Sequence, residues 1–390
     1  MKNIKFFLIA SLFAFSSQTQ AKISILNKTL KVNSFDQKKN KFTIKGNVQG
    51  FEDGTKVYIN EQGEQGFIKI DSTVIKNNTF IINGIVNELE LAFIEIGNTQ
   101  EYIVPFVIEK GEIKVTYDKA NPDNAKVIGT KNNDYLAVYN TESNKIQREI
   151  RDFQELNNEK MMNAQQSQDK QTIDDLMAEY QKINSKLVNQ NIDLIKKNKD
   201  AYISLIIIEQ LMNGETITFE EYKSYFEAFD SKLKNTKKGK EINQRIESLE
   251  KVAIGQIAPD FSAPNPEGKM ISLKESLGKV TIIDFWAAWC GPCRQENPNF
   301  VALYNKYKNK GLQIIGVSLD RDAEAWKNAI AKDQLTWIQI SNIKHWQDPI
   351  AQLYQVSSIP KTFILDSSGK IIAKDLRGAE LDTKIAELLK

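Results

Sequence analysis

Cys290 and Cys293 are the only two cysteines in a chain of 390 residues, and they stand as Cys-Gly-Pro-Cys. Ahead of them runs an apolar stretch, Val280 to Trp286, broken by one acid, and behind them a helix-like segment begins. A buried strand feeding a helix N-terminus is the expected setting. Unpaired N–H groups and the positive end of the helix dipole gather there and favour a thiolate over a thiol. A thiol with pKa about 8.5 is roughly 3% ionised at pH 7, and lowering the pKa to about 7 ionises about half of it for roughly 2 kcal/mol. The chemistry implied is thiol–disulfide exchange. Cys290 is the expected nucleophile, and Cys293, one turn inside the helix, is placed to resolve a mixed disulfide.

Two other readings stay open. A structural disulfide across so short a ring would constrain little unfolded-chain entropy. A zinc site needs four ligands, and the chain offers these two cysteines, the single histidine His345, and acids to complete it. His345, beside Trp346, reads as a surface or packing residue.

Several separated segments carry a family resemblance. They are Ala258-Pro259-Asp260-Phe261, Asp284 six residues before the first cysteine, Trp289-Cys290-Gly291-Pro292-Cys293, Glu296, Pro298, and Ile359-Pro360-Lys361-Thr362-Phe363. Residues 255–390 thereby resemble the thioredoxin-fold domain of the TlpA/ResA-like envelope thiol–disulfide oxidoreductases. On its own residues, Asp284 lies in an apolar run where ionisation is costly and its pKa should rise toward the range of a proton acceptor. The resemblance implies that it takes the proton of Cys293 during resolution. It implies that Glu296, three residues beyond Cys293, helps tune the cysteines. It also implies a cis bond before Pro360, with Ile359 presenting backbone groups to an extended substrate. Pro292 is expected to influence the balance of dithiol and disulfide, and Pro298 to kink the helix. Trp286 and Trp289 are expected at the rim, with Trp289 contacting the client.

The elements that must position these residues follow from patterning. Hydrophobic residues make up 41% of the chain and charged residues 26%, ordinary values for globular domains, and the length suggests two or three of them. Residues 1–21 show the charged, apolar and polar order of a cleavable secretory signal. Its removal takes Lys2 and Lys5, so the 52 basic residues fall by two to equal the 50 acidic ones. No basic stripe points to a nucleic-acid partner. An exported protein with one close cysteine pair is expected to use it for redox work in the periplasm or cell envelope.

Residues 22–129 alternate apolar and polar and are punctuated by turns, suggesting about seven short strands in an antiparallel sandwich or barrel. Phe42 to Gly46 and Asp53 to Tyr58 resemble an uncharacterised β-domain that precedes thioredoxin domains in some secreted bacterial proteins. It offers either solvated turns or a binding module for a client. Residues 130–250 turn helical. Ile173, Leu176, Tyr180, Ile183, Leu187 and Leu194 form a seam that wants a partner, either the helix carrying Ile146, Ile150, Phe153 and Leu156 or the same seam of a second chain. Lys237 to Lys240 reads as an exposed turn. From residue 255 onward, strands alternate with helices and a closing hairpin follows, as in an α/β sandwich.

The whole is expected to be multidomain: an all-β unit, a helical region and a C-terminal α/β thioredoxin fold. It would be an exported oxidoreductase that reduces protein disulfides, with its own cysteine pair in place of a cofactor or metal, recharged by a membrane-side thiol donor. Oxidase or isomerase polarity is the nearest rival. A peroxiredoxin-like peroxidase and an envelope scaffold are the others.

Overall fold

The computed structural model describes residues 40–390 apart from 64, 65, 100 and 215, so the expected signal sequence lies outside the described residues. The chain divides into two compact units, with the break between Lys240 and Glu241.

The first unit opens with β1 (Lys41–Gln49), β2 (Lys56–Gly63), β3 (Gly66–Val74), β4 (Thr79–Ile85), β5 (Glu90–Ile96), β6 (Ile103–Ile108), β7 (Gly111–Asp118) and β8 (Lys126–Ile128). Alternation builds them: in β1, Phe42, Ile44 and Val48 are buried and the residues between them are not. Two four-stranded sheets result, ordered β4-β1-β7-β8 and β3-β2-β5-β6, and their inner faces share a core that includes Ile44, Val57, Ile94, Phe106 and Ile113. This is the sandwich of the two shapes expected, with two corrections. There is an eighth strand, and β1 pairs with β7 in parallel rather than antiparallel. Period-two patterning reports which face a residue occupies and is silent about the direction of its neighbour. Asn77 and Asn78, at φ 49° and 56°, form a two-residue turn, and it passes the chain from one sheet to the other.

Five helices follow in this unit: α1 (Lys131–Ser167), α2 (Lys170–Lys197), α3 (Ile203–Asn213), α4 (Phe219–Glu227) and α5 (Ser231–Lys234). The Glu109 carboxylate fixes the start of α1 by accepting from the N–H groups of Asn132 and Asn133 at 2.6 and 3.1 Å, where the helix presents unpaired donors. The α2 seam closes on the same chain: Ile173, Leu176, Tyr180 and Ile183 pack with Ile146, Ile150, Phe153 and Met161 of α1. Leu156 is not part of it, being 83% exposed. Lys237 to Lys240 is not a turn either but the first turn of α6 (Lys237–Glu250), which carries the chain into the second unit.

The second unit contains β9 (Ser262–Pro264), β10 (Met270–Ser272), β11 (Val280–Trp286), α7 (Gly291–Tyr307), β12 (Leu312–Ser318), α8 (Ala323–Lys332), β13 (Ile338–Ile340), α9 (Pro349–Leu353), β14 (Lys361–Asp366), β15 (Ile371–Lys374) and α10 (Gly378–Leu388). Its five-stranded sheet runs β13-β12-β11-β14-β15, with the first three parallel and the last two antiparallel to their neighbours. β11 lies at the centre and is buried along its whole length. Val280, Ile282 and Trp286 face a core shared with α7, α8 and α10 through Phe300, Trp326 and Leu381. Ile283 and Phe285 face the opposite core, shared with Ala263 of β9 and Ile350 of α9. Helices cover both faces, which is why the strand reads as an unbroken apolar run.

One close approach in this sheet supports the site above it. Gly316 of β12 lies in register with Asp284 and with Gln339 of β13, and a Cβ on it would stand 2.2 Å from Gln339 Oε1, the acceptor of the Trp286 indole N–H at 3.0 Å. Gly316→Ala should therefore displace the buried amide and cost about 1–3 kcal/mol, read by urea denaturation. Combined with Gln339→Ala, the two losses should fall short of additive.

Candidate active site

The redox pair sits where β11 ends and α7 begins. Cys290 is the N-cap of α7 and its sulfur accepts from the Cys293 N–H at 3.2 Å. Gly291 and Pro292 fill the first two helical positions, and proline is tolerated there because its missing N–H would have had no helical partner. Cys290 and Cys293 are joined as a disulfide, and both are buried. Among the described residues, no group of three or more His, Cys, Asp or Glu is arranged to hold a metal. Pro298 lies inside α7, which runs through it to Tyr307 without interruption.

The approach to Cys290 is clamped by charges from distant segments. The Ala288 N–H donates to both carboxylate oxygens of Asp320, at 3.2 and 3.0 Å, and Asp320 also accepts from the Ser318 hydroxyl at 2.7 Å. On the other side, Arg294 Nη1 donates to the Ala288 carbonyl at 3.1 Å. Arg294 is itself held in a two-point ion pair by Asp333, through Nε to one oxygen and Nη2 to the other at 2.6 Å, and Asn297 donates to the same carboxylate at 2.7 Å. Burial pushes the Asp333 carboxyl up, and the Arg294 and Asn297 hydrogen bonds more than reverse this, leaving it below the usual range. None of these partners is adjacent in sequence, and spacing alone gives no signal for them.

Asp284 is 3% exposed. Strand alternation puts it on the face of β11 that carries Ile282 and Trp286, the face packed against α7 and the cysteines. Burial raises its pKa to about 7, with the Arg377 guanidinium pulling it down and the Glu296 carboxylate adding to the rise. Opposite it in register is Thr362 of β14. Asp284 Oδ1 and Thr362 Oγ1 are both buried and neither has a hydrogen-bond partner among the described residues. Glu296 is fixed by the Gly378 N–H at 2.9 Å, at the start of α10, and by the Asn299 amide at 3.0 Å. The residue before Gly378, Arg377, donates to the Pro360 carbonyl at 2.6 Å. The Ile359–Pro360 bond is cis, and both residues are half-buried.

The two tryptophans part company. Trp289 is at the rim, 49% exposed, with its indole N–H on the Leu319 carbonyl at 3.2 Å. Trp286 is not at the rim: at 1% exposure it is core beneath it. His345 is a packing residue, and what it packs against is Trp289, with ring centroids 5.1 Å apart.

Residues 254–374 match the AhpC/TSA family, and residues 42–136 match a domain of unknown function, DUF4369. A thiol-disulfide oxidoreductase ResA of Bacillus thuringiensis subsp. konkukian is 36% identical over 141 residues, covering 36% of this chain and 79% of the relative. The chain belongs to the ResA-like thiol-disulfide oxidoreductases. A ResA of Bacillus cereus is 37% identical over 126 residues, covering 32% of this chain and 70% of the relative. Among solved structures, the thioredoxin domain of a thiol-disulfide oxidoreductase from Bacteroides vulgatus is 36% identical, covering 35% of this chain and 99% of that one, with a TM-score of 0.34. By its likeness to the ResA relatives and its own mixed five-stranded sheet, the C-terminal part is an oxidoreductase domain of thioredoxin-like fold, and a β-domain and helices precede it in a ResA-like chain.

The raised Asp284 pKa has a definite pH signature. A carboxyl that ionises near 7 when folded and near 3.8 when unfolded binds more protons in the native state between those values. The ionisation penalty of its burial is absent below pH about 4, grows up to about 7, and is present in full above. In the oxidised protein, Asp284→Asn should raise unfolding free energy at pH 8 by a few kcal/mol and leave it nearly unchanged at pH 3.5. Urea titrations at the two pH values measure this, and an equal effect at both would show that the carboxyl does not titrate between them.

Proposed function

We propose that this ResA-like chain is an exported reductase of protein disulfides. The observation that carries the reading is the Cys290–Cys293 pair at the N-terminus of α7, on the same face of the sheet as a buried carboxyl that titrates near neutrality. In the dithiol form, Cys290 thiolate attacks one sulfur of a client disulfide, making a mixed disulfide and releasing the other client sulfur as a thiolate. Cys293, deprotonated by Asp284, then attacks Cys290 Sγ. The protein disulfide forms, the second client sulfur leaves, and two electrons have passed to the client. A membrane-side dithiol donor restores the pair by the reverse exchange.

Other residues act around this pair. Glu296, placed at Gly378 and contributing to the raised pKa of Asp284, tunes the proton acceptor. Ile359 and Pro360 offer backbone to an extended client segment, Trp289 touches it at the rim, and Pro292 shifts the dithiol–disulfide balance. Residues 1–21 direct the chain to the periplasm or cell envelope, where one close cysteine pair serves redox work. The β-rich part, whose described strands run from Lys41 to Ile128, and the helical part, taken as 130–250, precede the reductase domain, taken as 255–390. Four seam residues of α2 pack on α1, while Leu187 and Leu194 lie outside that cluster.

The match to the AhpC/TSA family makes peroxidase the reading to test against. A peroxidatic cysteine of that kind is preceded three residues earlier by Thr or Ser, and that position holds Ala287. Cys293→Ser should accordingly lack peroxidase turnover while accumulating mixed disulfides through Cys290 in an exporting cell. The isolated couple should be more reducing than the about −120 mV of a strong disulfide-forming oxidant. A potential at or above that value would assign oxidase polarity instead. With Cys293 retained, Asp284→Asn should slow release of the client from the Cys290 mixed disulfide about 100-fold at pH 7, followed by quenched-flow gel analysis.

A further inference from the structure

Beside the redox pair, three rings that come from separate parts of the chain meet in a triangle. Trp289 precedes Cys290 directly, whereas His345 and Trp346 come from the segment between β13 and α9. Centroid separations are 5.1 Å for Trp289–His345, 6.1 Å for Trp289–Trp346 and 5.8 Å for His345–Trp346. Trp289 and Trp346 remain 49% and 37% exposed despite these contacts, so the cluster shows an outer surface as well as an inner one.

The segment that delivers His345 and Trp346 is held in an unusual backbone. Ile343 and His345 both have positive φ, 56° and 53°, a region that a β-branched residue such as isoleucine rarely adopts. The surroundings impose it. Ile343 N–H donates to the Ser341 hydroxyl at 3.1 Å, and His345 N–H donates to the carbonyl of Asp320, whose carboxylate clamps Ala288. Asp348, fully buried, accepts from the Asn342 amide at 3.0 Å and caps α9. One residue, Asp320, thus sets both the segment leading to Cys290 and the segment carrying the second and third rings. Strain of this sort is maintained where a particular presentation of side chains is needed.

We propose that Trp289, His345 and Trp346 form one platform that selects clients carrying an apolar side chain next to the cysteine under attack. This rests on the protein-disulfide reading and deepens it by naming the residues that choose among clients. Ring faces at the rim take aliphatic and aromatic side chains. Two charges of opposite sign act on His345: its pKa is lowered by burial first and by the Arg321 guanidinium second, while the Asp320 carboxylate raises it.

The test uses the full chain, reduced, with peptides joined by one disulfide and bearing either Leu or Ser beside each half-cystine, and with bis(2-hydroxyethyl) disulfide as a substrate that has no side chain to place. Oxidation of the Cys290–Cys293 pair reports each reaction, since two electrons leave it as each substrate disulfide is reduced. Wild type should prefer the Leu peptide about tenfold, mostly through KM. Trp346→Ala should reduce that preference to about twofold or less, and Trp346→Phe should keep most of it. The reduction potential of the pair should be the same in all three, because the platform touches clients rather than the sulfurs' own equilibrium. A preference that survives Trp346→Ala overturns the platform. So does a reduction potential that shifts with Trp346→Ala, since Trp346 would then be only a support for the redox loop. Exchange with bis(2-hydroxyethyl) disulfide but with neither peptide would instead overturn the protein-disulfide reading, and the platform with it.

Discussion

A strand buried on both faces has no room for a charge, and Asp284 lies in one. That constraint orders the rest of the second unit. β11 is central because its neighbours on either side and the helices on either face leave it no solvent, and the same closure raises the Asp284 carboxyl to about 7. A surface aspartate at the same position in sequence would stay ionised at all physiological pH values and could accept no proton there. Central position in the sheet and proton-accepting capacity therefore have one cause. The cost is a few kcal/mol of stability above neutral pH, and the two cores flanking the strand must offset it.

At the end of β11 the backbone leaves the sheet, and precision there comes from polar groups. Ala288 is gripped through its N–H by Asp320 and through its carbonyl by Arg294, while Asp333 occupies the remainder of the Arg294 fork. Each of these groups is partly or wholly withdrawn from water, where hydrogen bonds to ionised partners are worth about 1.5–3 kcal/mol each. Ile343 and His345 lie at positive φ at a cost on the order of 1–3 kcal/mol apiece, and their contacts to Asp320, Ser341 and the Trp289 ring hold them there.

What could be read beforehand was local. Cys290, Cys293, Asp284 and the Ile359-Pro360 pair stand within motifs whose spacing and residue types survive without the fold, and the alternating strands and the α2 seam declare their inner faces. The clamp did not declare itself, because Asp320 and Asp333 lie 32 and 39 residues from their partners and are ordinary acids in sequence. His345 and Trp346 were legible as aromatic neighbours but not as neighbours of Trp289. Trp286 was misplaced because period two puts it on the same face as Asp284, and burial depth along that face depends on α7 above it. Lys237 to Lys240 looked like a solvated turn from its charges and glycine. Yet Thr236 Oγ1 accepts from the Gly239 N–H at 3.0 Å, an ordinary N-cap, and Gly239 is present because a Cβ would lie 2.2 Å from the Leu233 carbonyl oxygen. The parallel β1–β7 pairing carried no sequence signal at all.

The electrostatics around Cys290, the proposed nucleophile, narrow what can make it acidic. Arg294 is the nearest guanidinium along the helix, but Asp333 pairs with it through Nε and Nη2, and Nη1 donates to the Ala288 carbonyl. Asp320, two residues' reach from Cys290 through Ala288, is an acid and opposes a thiolate. Stabilisation of a Cys290 thiolate must then come from the start of α7 itself, where the Cys293 N–H already points at the sulfur from 3.2 Å. One N–H bond to a charged sulfur at about 1.5–3 kcal/mol, with about 0.3–1 kcal/mol from the helix dipole, covers the roughly 2 kcal/mol that brings a thiol from pKa about 8.5 to about 7. The side-chain charges are balanced so that they hold the loop, and the backbone of one helical turn is left to set the reactivity.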